Sequence, residues 1–211
     1  MDQDTAKTFL ENGALEMGLN LQPLQVERLL EYLSLFSKWN KAYNLSAIRD
    51  TESMVSLHLL DSLSIYPYLK GQRLIDVGTG GGLPGIPMAV MFPERSFTLL
   101  DSAGKKTRFL FQVTQSLGLD NVEVENCRVE SFQPDALFDG VISRAFASLA
   151  DMTGYCRHLL NENGRFWAMK GQFPTEELEY IAGDYTLEHQ YPLKIAGLNA
   201  ERCLLVLKPR D

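Results

Sequence analysis

The chain has 211 residues, a net charge of −7 and 45% hydrophobic residues. This length suits one main domain with an appendage, and the hydrophobic content is sufficient for a packed core. The negative net charge argues against a protein that coats nucleic acid non-specifically. It does not exclude a nucleic-acid-binding protein that has a local basic patch.

The sequence contains no run of about 18 apolar residues, so no membrane-spanning helix is predicted. The N-terminal residues are acidic and polar, and we do not expect them to act as a secretion signal. Cys127, Cys156 and Cys203 are odd in number and lack the spacing of a metal or redox site. We therefore expect a cytoplasmic protein with reduced thiols and without a bound metal, and a monomer is the default expectation.

Residues 1–70 are predicted to be helical, because apolar residues recur in them at three- and four-residue steps. Helices are expected over residues 4–17, 24–41 and 51–63. No β–α–β pattern occurs in this segment. We interpret residues 1–70 as an N-terminal helical extension and residues 71–211 as the main domain.

From residue 71 the pattern alternates between strands and helices. Strands are predicted over 73–77, 96–100, 122–125, 138–143 and 165–169, and helices from Leu83 onward and over 105–117, 152–160 and 175–182. Two late strands, over 187–193 and 203–207, are expected to form an antiparallel hairpin. This alternation predicts an α/β, Rossmann-like, doubly wound sheet that ends in a C-terminal hairpin.

The most informative segment is the glycine-rich one, RLIDVGTGGGLPGIPMAV, residues 73–90. A buried strand, a loop with five glycines and a helix follow one another, which is typical of a nucleotide-type ligand site at the carboxyl end of a sheet. Gly80-x-Gly82-x-x-Gly85 satisfies the dinucleotide pattern. Asp76-x-Gly78-x-Gly80-x-Gly82 instead matches the loop of S-adenosylmethionine (SAM) methyltransferases, in which the acid lies near the amino acid end of SAM. The register favours SAM, because Gly78 directly follows the strand.

Two further acids follow strands at the same predicted edge. Asp101 ends the second strand, 23 positions after Gly78, and is a candidate acceptor for ribose hydroxyl groups, with a cap of the next helix as the alternative. Glu130 follows the third strand, at the corner where a SAM site contacts adenine.

Basic residues surround the place where an acceptor substrate would lie. Arg144 and Lys170 follow the fourth and fifth strands and are candidate catalytic residues, although Arg144 could instead form a structural ion pair with Asp139 or Glu130. Lys105 and Arg128 extend a basic rim that suits RNA phosphate groups, while a solvated helix face is the alternative for the Lys105 group.

The helical extension contributes three polar residues that are candidates for binding a nucleic acid, such as a substrate RNA, or for closing the site: Asn44, His58 and Asp61. The alternative is that Asn44 ends a helix and that His58 and Asp61 form a local polar pair.

Several segments together resemble one family. KWNKAYNLSAIRD, HLLDSL, IDVGTGGGLPGIP, LLDSAGKKTRFL and ISRAFASL are similar, in matching order along nearly the whole chain, to the bacterial 16S ribosomal RNA guanine-N7 methyltransferases, also called glucose-inhibited division protein B. The resemblance implies a class I SAM-dependent methyltransferase fold, SAM as methyl donor and N7 of one guanine of the small ribosomal subunit as acceptor. It also implies cofactor contacts by Gly78, Leu83, Val129 and Glu130, and a contact by Arg144 with either the cofactor or the substrate.

Two other functions remain open from the residues alone. The dinucleotide pattern would suit a nicotinamide-dependent oxidoreductase, and a non-catalytic SAM-binding ribosome-assembly factor would carry the same loop. No zinc site, nucleophile elbow or proline-preceded cysteine occurs in the sequence. A ring nitrogen such as guanine N7 already has a lone pair, so its methylation requires neither a base nor a covalent intermediate.

Overall fold

A seven-stranded sheet forms the centre of the computed structural model, which describes residues 3–144 and 146–210. The strands are β1 Arg73–Val77, β2 Ser96–Leu100, β3 Val122–Glu125, β4 Phe138–Ser143, β5 Leu160–Lys170, β6 Tyr185–Pro192 and β7 Cys203–Pro209. Their order in the sheet is β3-β2-β1-β4-β5-β7-β6. Strands β1 to β5 are parallel, and β7 pairs antiparallel with both β5 and β6. This is the α/β, Rossmann-like arrangement of class I SAM-dependent methyltransferases, with the predicted C-terminal hairpin.

Helices cover both faces of the sheet. They are α1 Gln3–Glu16, α2 Pro23–Tyr43, α3 Thr51–Met54, the π-helix Val55–Leu60, α4 Asp61–Leu63, α5 Gly85–Met91, α6 Gly104–Leu117, α7 Leu149–Cys156 and α8 Thr175–Ile181. The side chains of β1 alternate between the two faces, as in any strand. Leu74 joins the cluster that contains α1 to α6, whereas Ile75 joins the cluster that contains α7 and α8.

The helical extension and one face of the sheet share a single hydrophobic cluster. Leu10 of α1, Phe36 of α2 and Leu60 of the π-helix belong to the same group of buried residues as Phe109 of α6 and Trp167 of β5. The extension is therefore packed on the sheet over a continuous apolar surface, and it can place side chains at the sheet edge.

The strand order changes direction between β1 and β4, which are neighbours although two strands separate them in sequence. Ligands of such open parallel sheets bind in the crevice beyond the carboxyl ends of the strands, at this switch point. The ends of β1 and β4 are joined there by a hydrogen bond of 2.9 Å from the Ser143 hydroxyl to the Val77 carbonyl.

Most predicted elements agree with the observed bounds to within two residues, but two elements differ by more. The helix predicted over 152–160 begins earlier, at Leu149, because the Ser148 hydroxyl caps it by accepting from the Asp151 N–H, and it ends at Cys156. The strand predicted over 165–169 extends from Leu160 to Lys170, because a bulge opposite β4 keeps residues 160–164 in the sheet.

Candidate functional site

The loop between β1 and α5 turns sharply back on the sheet. The Gly78 N–H donates to the Leu100 carbonyl of β2 at 2.9 Å, which holds the start of the loop over the neighbouring strand. Gly82 has φ +90°, and a Cβ there would lie 2.5 Å from Ile86 Cγ1 and 2.8 Å from Leu110 Cδ2. The loop at this point therefore requires glycine for both its conformation and its packing.

Asp76 holds the two ends of this loop together. Its Oδ2 accepts hydrogen bonds from the Thr79 hydroxyl at 2.7 Å and from the Gly85 N–H at 2.8 Å. Burial raises the pKa of this carboxyl to about 6, although both hydrogen bonds and the Arg144 charge oppose the shift. Asp76 lies beneath the loop, and its predicted contact with a cofactor stays a prediction.

A cavity of about 420 Å³ opens at the carboxyl ends of β1, β2 and β3; we call it the cofactor-side cavity. It is lined by Val77, Gly78, Leu100, Asp101, Ser102, Lys106, Cys127, Arg128, Val129, Glu130, Phe146 and Tyr155. Four predicted cofactor residues, Gly78, Asp101, Val129 and Glu130, thus meet in one space. Arg128, predicted for RNA, lines the same cavity. Gly80, Gly82 and Leu83 belong to the loop but not to this lining.

Asp101 has a dense set of hydrogen bonds. Its Oδ2 accepts from the Gly80 N–H at 2.9 Å and from Lys106 Nζ at 3.3 Å, while Oδ1 accepts from the Ala103 N–H at 2.9 Å. A carboxylate offers about four acceptor positions, so about one remains on Oδ1. Asp101 therefore shapes the loop and the start of α6, and still has an acceptor for a ligand hydroxyl.

A second cavity, of about 410 Å³, lies beyond the ends of β4 and β5; we call it the acceptor-side cavity. It is lined by Ile48, Leu57, His58, Asp61, Arg144, Met169, Lys170, Gly171, Leu193, Arg202 and Cys203. The structure thus brings together four predicted residues, Arg144, Lys170, His58 and Asp61. The two cavities share no lining residue.

Asp61 is the electrostatic centre of the acceptor-side cavity. Its side chain is 4% exposed, and its Oδ2 lies 2.8 Å from Arg144 Nη1 while its Oδ1 lies 3.2 Å from Arg202 Nε. Arg144 Nη1 also donates to the Leu57 carbonyl at 3.1 Å. The ion pair considered for Arg144 with Asp139 or Glu130 is wrong, because its carboxylate partner is Asp61. The local pairing of His58 with Asp61 is also wrong, since Asp61 bonds the two arginines.

His58 lies in the π-helix and is buried beside the Phe36 ring, with ring centroids 5.0 Å apart. Neither ring nitrogen has a hydrogen-bond partner among residues 3–144 and 146–210. Burial, with a smaller contribution from the Arg144 charge, lowers the pKa of His58 to about 4. At neutral pH the cavity therefore presents an uncharged imidazole. Short π-helical segments occur often at functional sites.

Lys170, at the end of β5, is held in place by an ion pair and a hydrogen bond to neighbouring residues. Its Nζ lies 2.9 Å from Glu177 Oε2 of α8 and donates to the Ala147 carbonyl at 3.2 Å. This pairing fixes the ammonium group at the cavity wall and offsets its charge.

Asn44 and Lys105, two of the residues predicted for RNA, lie outside both cavities. Asn44 ends α2 in the left-handed conformation, and its Oδ1 accepts from Arg49 Nη2 at 2.5 Å. Lys105 is exposed at the start of α6, and its Nζ donates to the Tyr43 carbonyl at 3.4 Å. The end of α2 and the start of α6 therefore form one exposed surface that carries both residues.

The cavity residues that sequence reasoning missed include Phe146, Tyr155 and Arg202. Phe146 and Tyr155 line the cofactor-side cavity, and the position of Phe146 just after β4 is a signal that could have found it. Arg202 of the acceptor-side cavity bonds a residue 141 positions away, and no local pattern indicates such a contact.

Within the described part of the chain, no group of three or more His, Cys, Asp or Glu side chains could hold a metal ion. No helix of the residues described is both long enough and apolar enough to cross a membrane.

The family model described as GidB, rRNA small subunit methyltransferase G, matches residues 25–206. The chain belongs to this family. A relative from Saccharophagus degradans named ribosomal RNA small subunit methyltransferase G is 61% identical over 198 residues, 94% of this chain and 89% of the relative. A relative of the same name from Pseudomonas syringae pv. syringae is 55% identical over 199 residues, 94% of this chain and 93% of the relative. The predicted family is therefore confirmed.

Solved structures of other methyltransferases share the fold of this GidB-family chain. The glycopeptide N-methyltransferase MtfA, complexed with SAM, superposes with a TM-score of 0.60 at 11% identity, over 73% of this chain and 88% of that one. A SAM-dependent methyltransferase from Aquifex aeolicus gives a TM-score of 0.59 at 14% identity, over 81% and 97% of the two chains. At these identities the likeness concerns the fold alone, and it confirms the predicted fold class.

Proposed function

We propose that this protein transfers a methyl group from SAM to N7 of a specific guanine in 16S ribosomal RNA. The observation that carries the proposal is the pair of cavities at the carboxyl ends of the parallel strands, one lined by Gly78, Asp101 and Glu130 and the other by Arg144 and Lys170. The names of the family and of the relatives support methyl transfer to the ribosomal RNA of the small subunit.

The cofactor-side cavity suits an adenosine in its chemistry. Asp101 retains an acceptor on Oδ1 for a ribose hydroxyl, and Glu130 is an exposed carboxylate at the adenine corner beside Val129. Leu100, Phe146 and the other apolar side chains supply the surface that an aromatic base requires. We therefore propose that Asp76, Gly78, Gly80, Gly82, Leu83, Asp101, Val129, Glu130 and Arg144 bind or shape the site for SAM, which supplies an electrophilic methyl group when bound.

The acceptor-side cavity suits a base that needs no deprotonation. His58 is uncharged at neutral pH, and neither of its ring nitrogens has a hydrogen-bond partner among the described residues. The charged side chains of the cavity are held in ion pairs, and burial raises the pKa of the Cys203 thiol, which keeps its proton. Guanine N7 has its lone pair free, so the chain has to orient the base and hold it in line with the donor. We propose that Arg144 and Lys170, fixed by Asp61 and Glu177, perform this orientation.

Residues 1–70 are proposed to act as an RNA-facing helical extension of the SAM-binding domain, residues 71–211. His58 and Asp61 of the extension line the acceptor-side cavity, and Asn44 lies beside Lys105 on the neighbouring surface. Arg128 at the cofactor-side cavity would add a basic group to the rim. The substrate would be the RNA of the small ribosomal subunit in the cytoplasm, and a monomer suffices to form both cavities.

Incubation with methyl-labelled SAM and small ribosomal subunits from a methylation-deficient bacterial strain tests the activity. We expect label in the 16S RNA, and nucleoside mass spectrometry should identify it as N7-methylguanosine at one position. Subunits that already carry the methyl group serve as the control and should accept no label. Label on another atom, or RNA without label, would contradict the proposal.

A further inference from the structure

Arg202 is a residue of the acceptor-side cavity that no sequence pattern indicated. It directly precedes β7, and its Nε lies 3.2 Å from Asp61 Oδ1, while Asp61 Oδ2 lies 2.8 Å from Arg144 Nη1. One buried carboxylate therefore holds two guanidinium groups side by side, although 58 residues of sequence separate Arg144 from Arg202. Each arginine side chain remains 28% exposed, so both stay accessible to a ligand in the cavity.

The charge that remains in the cavity matches a single monovalent anion. Its charged lining side chains are Asp61, Arg144, Lys170 and Arg202. Lys170 is offset by Glu177 at 2.9 Å, which leaves two positive groups and one negative group. The net charge of about +1 equals that required by one phosphodiester, whereas a neutral base would leave it unbalanced.

Arg202 also has hydrogen-bond donors to spare. Its Nε donates to Asp61 and its Nη1 donates to the Glu201 carbonyl at 2.9 Å. Its Nη2 donates to no residue in 3–144 or 146–210. A guanidinium has five N–H donors in a fixed fork that fits phosphate oxygens, so three donors remain for a ligand.

We infer that Arg202, held beside Arg144 by Asp61, binds a phosphodiester group of the RNA next to the methylated guanine. This inference rests on the proposed function, because it names the contact by which that site holds its RNA. Asp61 is then a positioning residue, since it would act on the RNA only through the two arginines. The carboxylate of SAM is the other anion nearby, but Arg202 lines no part of the cofactor-side cavity, which contains Gly78 and Asp101.

The test compares Arg202→Gln with the wild-type protein in steady-state methylation of unmethylated small subunits over a range of salt concentrations. A lost phosphate contact should raise KM for the subunit about tenfold and leave kcat within about twofold. The slope of log(kcat/KM) against log salt concentration should become shallower by about 0.7–0.9. Arg202→Lys keeps the charge, so it should retain the wild-type slope even where its KM rises.

Arg165→Gln is the matched control, because Arg165 also forms an ion pair, with Glu188, and lines neither cavity. Its KM and salt slope should equal those of the wild-type protein. SAM affinity of Arg202→Gln, measured by calorimetry, should be unchanged, and it also reports that the variant is folded.

Each other outcome has a distinct meaning. A salt slope and KM of Arg202→Gln equal to the wild-type values would overturn the inference. Lost SAM affinity with an unchanged slope would assign Arg202 to the cofactor carboxylate and also overturn it. A wild-type protein that leaves the RNA unlabelled would instead overturn the proposed function, which this comparison detects in its first measurement.

Discussion

The two cavities are built in different ways. The cofactor-side cavity is formed mainly by short segments at and directly after the ends of β1, β2 and β3, to which Phe146 and Tyr155 are added from beyond β4. Gly78 of its lining begins the glycine loop, which occupies consecutive positions to Gly85. The acceptor-side cavity joins the π-helix, the ends of β4 and β5 and the start of β7, and Asp61 connects residues 83 and 141 positions away. The first is built largely from local features of the backbone, whereas the second depends throughout on tertiary packing. A change in the loop should therefore disturb the cofactor-side cavity directly, and a change in the extension should disturb the acceptor-side cavity.

The largest effect is expected from Gly82→Ala in the glycine loop. The new Cβ would lie 2.5 Å from Ile86 Cγ1, at φ +90°. Backbone strain and overpacking should together lower the free energy of unfolding by about 4 kcal/mol, measured by urea denaturation. The matched control is Gly154→Ala in α7, where a Cβ has no atom within 4 Å. That change should raise stability by about 0.5–1 kcal/mol, and equal effects of the two substitutions would show that the loop is not tightly packed.

This difference in construction also decides what the sequence could predict. The bounds of β1 and β2 follow from apolar runs that end in polar or glycine residues, and the order of strands and helices predicts the sheet. The same local logic places Gly78, Asp101 and Glu130 at one edge. The partner of Arg144 could not be predicted, because Asp61 lies in α4 of the helical extension and approaches Arg144 only after the extension has packed on the sheet. Arg202 was missed for the same reason.

Each cavity has a buried titratable group nearby, and the two groups should respond to pH in opposite directions. Burial raises the pKa of Asp76, beneath the glycine loop, from 3.8 to about 6. The folded protein then binds more protons than the unfolded chain between those values, so this group makes stability fall as pH rises through the window. Burial lowers the pKa of His58, in the acceptor-side cavity, from 6.5 to about 4. The folded protein there binds fewer protons, so this group makes stability rise with pH.

Because the two windows nearly coincide, these contributions of about 3 kcal/mol each should largely cancel in the wild-type protein. In Asp76→Asn, the free energy of unfolding should rise between pH 4 and 6.5, because only the contribution of His58 remains. In His58→Leu, it should fall between pH 4 and 6, because only the contribution of Asp76 remains. Urea denaturation at several pH values measures both. The double variant should have a profile parallel to that of the wild-type protein, since the other titrating groups are common to all four proteins. Parallel profiles for the two single variants would contradict the assignment.

A smaller effect is expected at the acid that ends β2. Asp101→Ala should weaken binding of S-adenosylhomocysteine by about 1–3 kcal/mol, because a ribose hydroxyl would lose a charged acceptor. Asp101 also holds the Gly80 and Ala103 N–H groups, so part of the loss could come from the loop. The 2′-deoxy and 3′-deoxy analogues separate these contributions in calorimetry. If Asp101 accepts from a hydroxyl, the wild-type protein should discriminate against the corresponding analogue and Asp101→Ala should not. Equal discrimination by both proteins would make Asp101 a structural cap.

The smallest predicted effect concerns a hydrogen bond between the helical extension and the glycine loop. The buried Tyr32 of α2 donates its hydroxyl to the Gly81 carbonyl at 2.7 Å, and burial raises the pKa of Tyr32, so the hydroxyl keeps its proton. Tyr32→Phe leaves that carbonyl without this donor and should lower the free energy of unfolding by about 1 kcal/mol. Since the ring of Phe36 also packs on Gly81, we expect the loop to stay in place but to bind SAM about threefold more weakly.

Tyr180→Phe is the control for this change, because Tyr180 is 81% exposed and should tolerate the loss of its hydroxyl in both measurements. If Tyr32→Phe lowers stability but leaves SAM affinity unchanged, the extension stabilises the glycine loop without affecting how tightly the loop binds SAM. The separation between a locally built cofactor-side cavity and a packed acceptor-side cavity would then be complete. A loss of affinity, by contrast, would mean that the same helical extension adjusts both cavities, since it also carries His58 and Asp61.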